Sequence, residues 1–262
     1  MTARVSRRSA LASGLILALA GCSRPSNEIA IPIAPVTRTP QAGPARVLVL
    51  TATAGFRHDS IPAARQAFAA LNGQSFAVTT TEDLATISEA GLASYQVLVF
   101  CLTSGELALS AARRAALLSF VSGGGGFLGF HSATDTLYDW PEYGGMVGAY
   151  FKEHPWVQPA TVIVEDGAHP ATEGIGERFA IDEEFYTFRE NPRPRAHVLL
   201  RLDAASVKAS GDYPLAWCKP YGAGRVYYNA LGHYPATWAD PRFARQVAGA
   251  LAWAAGRVGA PC

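Results

Sequence analysis

The chain has 262 residues, 49% hydrophobic and 16% charged, with a formal net charge of +1. That balance supplies an ample core for one domain of about 200 residues and no basic cluster in the folded part that would suit nucleic acid. Four cysteines with no CxxC pair exclude a disulfide-rich scaffold and a zinc ribbon.

Residues 1–21 read as an export signal. Arg4, Arg7 and Arg8 form a basic start, and the apolar run 11–20 is too short to span a bilayer. Leu19-Ala20-Gly21-Cys22 has the form of a bacterial lipobox, which makes Cys22 the expected lipidated N-terminus of the mature chain. Ser6-Arg7-Arg8-Ser9-Ala10-Leu11 is similar to a twin-arginine signal without its usual aromatic residue. Residues 22–45 carry Pro25, Pro32, Pro35, Pro40 and Pro44 and read as an extended tether. The expected folded domain is therefore 46–256, lipid-anchored to a bacterial membrane on its periplasmic face.

Within that domain, 46–51 reads as a buried strand, and the loop after it ends in Arg57-His58-Asp59-Ser60. Asp59 or Ser60 suits the cap of a helix running to about residue 71, with Pro62 in its first turn. Residues 76–80 and 97–100 read as strands and 109–121 as a helix. The glycines at 123–126 end that helix, and a short apolar strand, 127–130, follows. This alternation predicts an α/β fold with a mostly parallel sheet and helices on both faces. The remainder is richer in β-structure, with strands expected at 161–164, 197–202, 215–219 and 225–230 and a closing helix near 242–255. Cys101 and Cys218 lie in apolar strand-like runs and read as buried thiols.

The chemistry-bearing residues gather after strands. Gly129-Phe130-His131-Ser132-Ala133 has the form of a nucleophile elbow in which imidazole replaces the nucleophile, suiting proton transfer or metal ligation. Of six histidines, His58, His131, His154 and His233 fall on loops of that kind, whereas His197 begins a strand and His169 sits in a turn. Together with a carboxylate such histidines suit a divalent metal of the zinc kind. In Asp182-Glu183-Glu184-Phe185-Tyr186, strand alternation puts Glu183 on the core side and Glu184 opposite if Phe185 faces the core; the segment stands at a sheet-to-loop junction, and one of the two glutamates is the candidate base or ligand. Tyr138, Trp140, Tyr143, Tyr150, Phe151 and Trp156 supply aromatic faces of the kind sugar rings pack against, or else a packed covering loop.

Several strings carry a resemblance: Phe56-Arg57-His58-Asp59-Ser60, residues 124–135, residues 138–145, Gly148-Ala149-Tyr150-Phe151, residues 182–186, Leu215-Ala216-Trp217-Cys218 and Leu231-Gly232-His233. Together they resemble the ThuA-like (trehalose utilisation) family over the whole of 46–256. The resemblance implies a flavodoxin-like, class I glutamine amidotransferase-like fold and a role in carbohydrate catabolism, with oxidised 3-keto sugars as the substrate class. It implies no glutamine amidotransferase activity, because His131 stands where the amidotransferase cysteine would be. The matched positions are His58, His131, Asp135, Glu184 and His233.

The resulting expectations are specific. His131, Glu184 and Asp135 would be catalytic, and His58, Asp59, Tyr138, Trp140, Tyr150 and Tyr186 would bind substrate. His131, His154, Glu184 and His233 would hold a divalent metal. The partner would be a small-molecule carbohydrate, with a sugar dehydrogenase as a companion enzyme. Two alternatives stand beside this enzyme: a non-catalytic carbohydrate-binding module, and a metal-independent hydrolase using Ser132. The last ranks lowest, because adjacent residues on a turn seldom point at one another.

Overall fold

The computed structural model describes residues 1–2, 43–73 and 75–262. The chain divides into two units, 1–32 and 33–262, and the first lies almost wholly outside the described residues. The signal, the lipidation site Cys22 and the tether up to residue 42 also fall outside them. Among the described residues no helix is long and apolar enough to cross a membrane.

The second unit is built on one nine-stranded sheet in the order β2-β1-β3-β4-β9-β8-β7-β5-β6. Strands β1 (Ala45–Leu50), β2 (Phe76–Thr81), β3 (Val97–Cys101) and β4 (Gly126–Phe130) come from the first half of the chain. They are linked by α1 (Ile61–Ala69), α2 (Glu89–Leu92) and α3 (Ala111–Ser122). β3 and β4 are buried along their whole length, which explains their unbroken apolar sequences. After α4 (Pro141–Val147) come β5 (Phe151–Val164), β6 (Arg178–Phe188), β7 (His197–Leu202), β8 (Pro214–Tyr221) and β9 (Gly224–Asn229). Two helices, α5 (Pro235–Ala239) and α6 (Pro241–Ala254), close the chain.

The sheet is mixed rather than mostly parallel. β1 to β4 and β9 pair in parallel. The pairs β5–β6, β5–β7, β7–β8 and β8–β9 are antiparallel. A parallel pair needs a long crossover, usually a helix, whereas an antiparallel pair closes through a tight turn. Only the first half of the chain supplies helices between its strands. β8 turns directly into β9 through Gly222, whose φ of +59° suits such a turn. The first part of β5, residues 151–159, is mostly exposed and shows no clean alternation, so it gave no strand signal, whereas the partly buried end was legible as the strand at 161–164.

Helices cover both faces. Phe130 of β4 packs edge-on against Phe68 of α1, Trp238 of α5 and Phe243 of α6. Phe127, pointing the other way along the same strand, meets Phe100 and Tyr143 of α4. The carboxyl ends of β1, β4 and β9 therefore open at one rim between two filled layers, where open α/β sheets bind ligands.

The expected Cys218 thiol is instead half of a disulfide with Cys262, across 44 residues of sequence. Cys262 lies beyond the last helix, so only the return of the tail to β8 brings the two sulfurs together. Cys101 is a buried free thiol, as its apolar strand suggests.

Candidate functional site

The elbow after β4 is real and carries backbone strain. His131 has φ +50°, a left-handed conformation that non-glycine residues seldom adopt, in the turn 131–134. Gly129 makes room for it, since a Cβ there would meet Ala133 and Tyr228 at 3.1 Å. Tyr228 donates a 2.6 Å hydrogen bond to the His131 carbonyl, and Thr134 bonds to the same phenol at 2.8 Å. The strained turn is thus held from β9.

One hydrogen bond sets the tautomer of the His131 ring. Its Nδ1 is 2.8 Å from the Ala230 carbonyl, which can only accept, so Nδ1 carries the ring proton. In the neutral ring, Nε2 then carries the lone pair, on the side away from that carbonyl. Around that one nitrogen stand His58 Nε2 at 3.1 Å, the Tyr186 hydroxyl at 3.1 Å, Glu184 Oε2 at 3.3 Å and His233 Nδ1 at 3.3 Å. His233 Nδ1 is also 3.1 Å from Glu184 Oε2. The ligand atoms of His58, His131, Glu184 and His233 all lie within 4.8 Å of one another.

Each member arrives from a different element. His58 follows β1, His131 follows β4, His233 follows β9, and Glu184 comes from β6. Glu184 and Tyr186 are two residues apart on β6 and share a face, while fully buried Glu183 and Phe185 take the other. The Tyr186 ring lies over His131 at 4.4 Å and against Phe151 at 4.3 Å, closing one side of the site.

The electrostatics follow from this packing. Burial pushes the His58 imidazole down to about 3, helped by His131 and His233 beside it, so it stays neutral and free to ligate. Burial alone would raise the Glu184 carboxyl, yet the His131 and His233 rings facing it hold it well below the usual carboxylate range. Burial raises the Asp135 carboxyl despite the 2.7 Å hydrogen bond that Tyr138 donates to it. Asp135 feels the charges of His131, Glu184 and His154, so it lies near the cluster.

The other expected site residues divide. His154 is exposed on β5, with Nδ1 3.3 Å from Glu184 Oε1, so it stands at the rim while His58 completes the inner four. Asp59 is exposed and favours the charged form of His233. Tyr138 holds Asp135 and lies under Arg189 at 4.2 Å. Trp140 is not at the site: it is buried, stacked on Tyr143 and covered by Arg114. The Tyr150 hydroxyl is committed to the Leu137 and Trp140 carbonyls and the Gly144 N–H, which makes it the lock of the 137–150 loop. An aromatic-rich stretch marks burial as readily as binding, and here these two rings were drawn into packing.

A second group, His169, Cys218 and Cys262, also brings ligand-type atoms within 4.8 Å. Its histidine has the opposite tautomer. His169 Nδ1 accepts the Ala171 N–H at 3.1 Å, so the proton sits on Nε2, the atom 3.7 Å from the Cys262 sulfur. That nitrogen is a donor to sulfur, and both sulfurs are consumed in the disulfide.

A family model described as trehalose utilisation matches residues 46–254. The chain belongs to the ThuA family. Its fold matches a ThuA-like protein from Bacteroides uniformis ATCC 8492 at a TM-score of 0.71 and 24% identity, covering 83% of this chain and 94% of that one. A ThuA-like protein from Parabacteroides merdae ATCC 43184 matches at a TM-score of 0.64 and 19% identity, covering 81% and 90%. A cold-adapted β-galactosidase from Rahnella sp. R3 matches at a TM-score of 0.54 and 16% identity, covering 79% of this chain and 31% of that one. No curated protein matches the chain. The ThuA fold is the class I glutamine amidotransferase-like one, and in this member His131 occupies the elbow.

Proposed function

We propose that this ThuA-family protein is a metal-assisted enzyme acting on a sugar or 3-keto-glycoside. The observation that carries the reading is the crowding of polar atoms around His131 Nε2. A trigonal nitrogen has one in-plane lone pair and cannot serve several donors at once. Ligand atoms of a tetrahedral ion bound at about 2.0–2.1 Å stand about 3.3–3.4 Å apart; four of the six spacings here are 3.1–3.3 Å, and all six lie within 4.8 Å. Three imidazoles and one carboxylate suit a borderline divalent ion such as zinc, and the Ala230 carbonyl fixes one ring in the ligating tautomer.

Such an ion supplies Lewis acidity toward a carbonyl or hydroxyl oxygen. The chain's own groups complete the chemistry. In a 3-keto-glycoside the C2–H bond lies next to the carbonyl and is acidified by it. Asp135, raised by burial and steered by Tyr138, takes the C2 proton, and the electron pair moves into the enolate. The C1–O bond then breaks with its electrons on the departing alcohol, and the proton on Asp135 returns to that oxygen. The product is an unsaturated ketone, and adding water across its double bond completes net hydrolysis. The Tyr186 hydroxyl, which faces Nε2 of His131, is placed to hydrogen-bond a substrate oxygen.

The setting proposed with this function is export and anchoring through Cys22 to the periplasmic face of the membrane, close to a sugar dehydrogenase that would supply the keto group. The Cys218–Cys262 disulfide supports an oxidising compartment. The test is elemental analysis of the detergent-solubilised protein with assay on 3-keto-glycosides, for wild type and His131→Ala. One equivalent of divalent metal, lost with turnover in the variant, is expected. Retained turnover in His131→Ala would sink the assignment. Sugar-induced thermal stabilisation without metal or product would establish the binding-module alternative instead.

A further inference from the structure

Glu183 is fully buried, and every partner of its carboxyl group is a donor. Oε1 accepts the Gly232 N–H at 2.9 Å and the Thr237 hydroxyl. Oε2 accepts the Glu184 N–H at 3.1 Å and the His233 N–H at 3.2 Å. One side chain of β6 therefore grips the backbone of two candidate ligands, Glu184 and His233, together with the first turn of α5.

The peptide it holds is gripped from the other side as well. The Gly232 carbonyl accepts 2.9 Å bonds from Ser60 and from the Trp238 indole. Gly232 has φ +125°, and a Cβ there would meet Trp238 at 3.1 Å, so this peptide has one orientation open to it. Ser60 lies two residues after His58. Through Gly232, the loops bearing His58 and His233 are tied to one another and to the strand bearing Glu184.

We infer that Glu183 is the positioning residue of the candidate metal centre, setting the His233 to Glu184 spacing by bonding both backbones. The inference rests on the metal-site reading above and assigns the next layer of that site. A carboxylate suits the task because its two oxygens accept from several N–H groups at once. Glutamine, nearly the same shape, keeps one acceptor oxygen and turns an NH2 toward two of the four donors. Partners of this kind orient the ligands they hold, and their loss typically costs about 10- to 100-fold in metal affinity.

The experiment is a cobalt(II) titration of the full-length protein in detergent, read by visible absorption, for wild type, Glu183→Gln, His233→Ala and the double variant. Glu183→Gln is expected to bind about 10- to 100-fold more weakly with an altered ligand-field spectrum. Adding Glu183→Gln to His233→Ala is expected to cost less than it does alone, because the part of its effect that runs through His233 is already lost and only its hold on Glu184 remains. Unchanged affinity and spectrum in Glu183→Gln, or fully additive losses, would overturn the inference and leave the metal site standing. No cobalt uptake by wild type would overturn both. Should Glu183→Gln misfold, Thr237→Val removes one of the four bonds with the carboxylate in place. A smaller loss with the same spectral change is then expected, and wild-type behaviour would again overturn it.

Discussion

Among the described residues, two groups of ligand-type side chains share a length scale but not a composition: three histidines with Glu184 in one, His169 with two cysteines in the other. In both, ligand-type atoms fall within 4.8 Å of one another. They differ in the hydrogen bond on the far side of one ring. His131 gives its Nδ1 proton to the Ala230 carbonyl and turns a lone pair toward its neighbours. His169 accepts a hydrogen bond from the Ala171 N–H at Nδ1 and turns an N–H toward sulfur. Proximity makes a group of side chains a candidate; the tautomer decides whether it presents lone pairs to an ion. The first cluster also joins four separate elements at a sheet rim, whereas the second holds the C-terminal tail onto β8.

The sharpest way to break this contrast is His131→Ala. It removes the one nitrogen toward which the other donors converge, so bound metal and turnover are both expected to fall by more than about 100-fold, beyond the usual loss for an outer partner. Elemental analysis and steady-state assay on one preparation would show it, and an active, metal-loaded variant would dissolve the distinction between the clusters. Next in size is Cys262→Ser. Releasing a loop of 44 residues is expected to cost about 4 kcal/mol of stability by the chain-entropy account. It should lower the thermal midpoint while leaving metal uptake at the first cluster unchanged.

A pH series sharpens the comparison further. Burial pushes His169 from its ordinary 6.5 down to about 4 in the folded protein. Below pH 6.5 the unfolded chain therefore binds a proton that the folded chain refuses. Stability from this residue is complete above that pH and is lost progressively down to about pH 4. His169→Gln is expected to shallow this slope in urea titrations of the metal-free protein, without abolishing it, because His58 is lowered in the same direction. An identical slope in the variant would show that His169 titrates as it does in the unfolded chain. The smallest expected effect is an absence: reduced protein carrying His131→Ala should take up no zinc at His169, Cys218 and Cys262. One bound equivalent would mean that the His169 tautomer gives way to an ion.

Much of this was legible in the chain. The glycines before Phe127, the short apolar strand and the polar residues after it announced the elbow at His131, because each reflects a local demand of a strand ending in a sharp turn. Two-residue alternation put Glu183 and Glu184 on opposite faces on the condition that Phe185 faces the core, as it does, and left open which of the two serves the site. Apolar runs marked β1, β3 and β4. Of β5 only the end, 161–164, left such a trace, because residues 151–159 are mostly exposed, and β6 carries charges on both faces. Trp140 and Tyr150 were misjudged, because an aromatic side chain looks the same in sequence whether it lines a cleft or fills a layer.

What the sequence determined by itself was local or periodic: which segments are buried strands, where the chain turns, which residue types stand at strand ends, and the family to which the pattern belongs. Tertiary structure alone decided the matters that depend on distant partners. Those are the antiparallel half of the sheet, the bond between Cys218 and Cys262, the exchange of His154 for His58 among the inner four, and the acceptor at Ala230 that sets the His131 tautomer. A backbone carbonyl 99 residues away has no signature in composition or spacing. It becomes an acceptor for that ring only when β4 and β9 lie side by side.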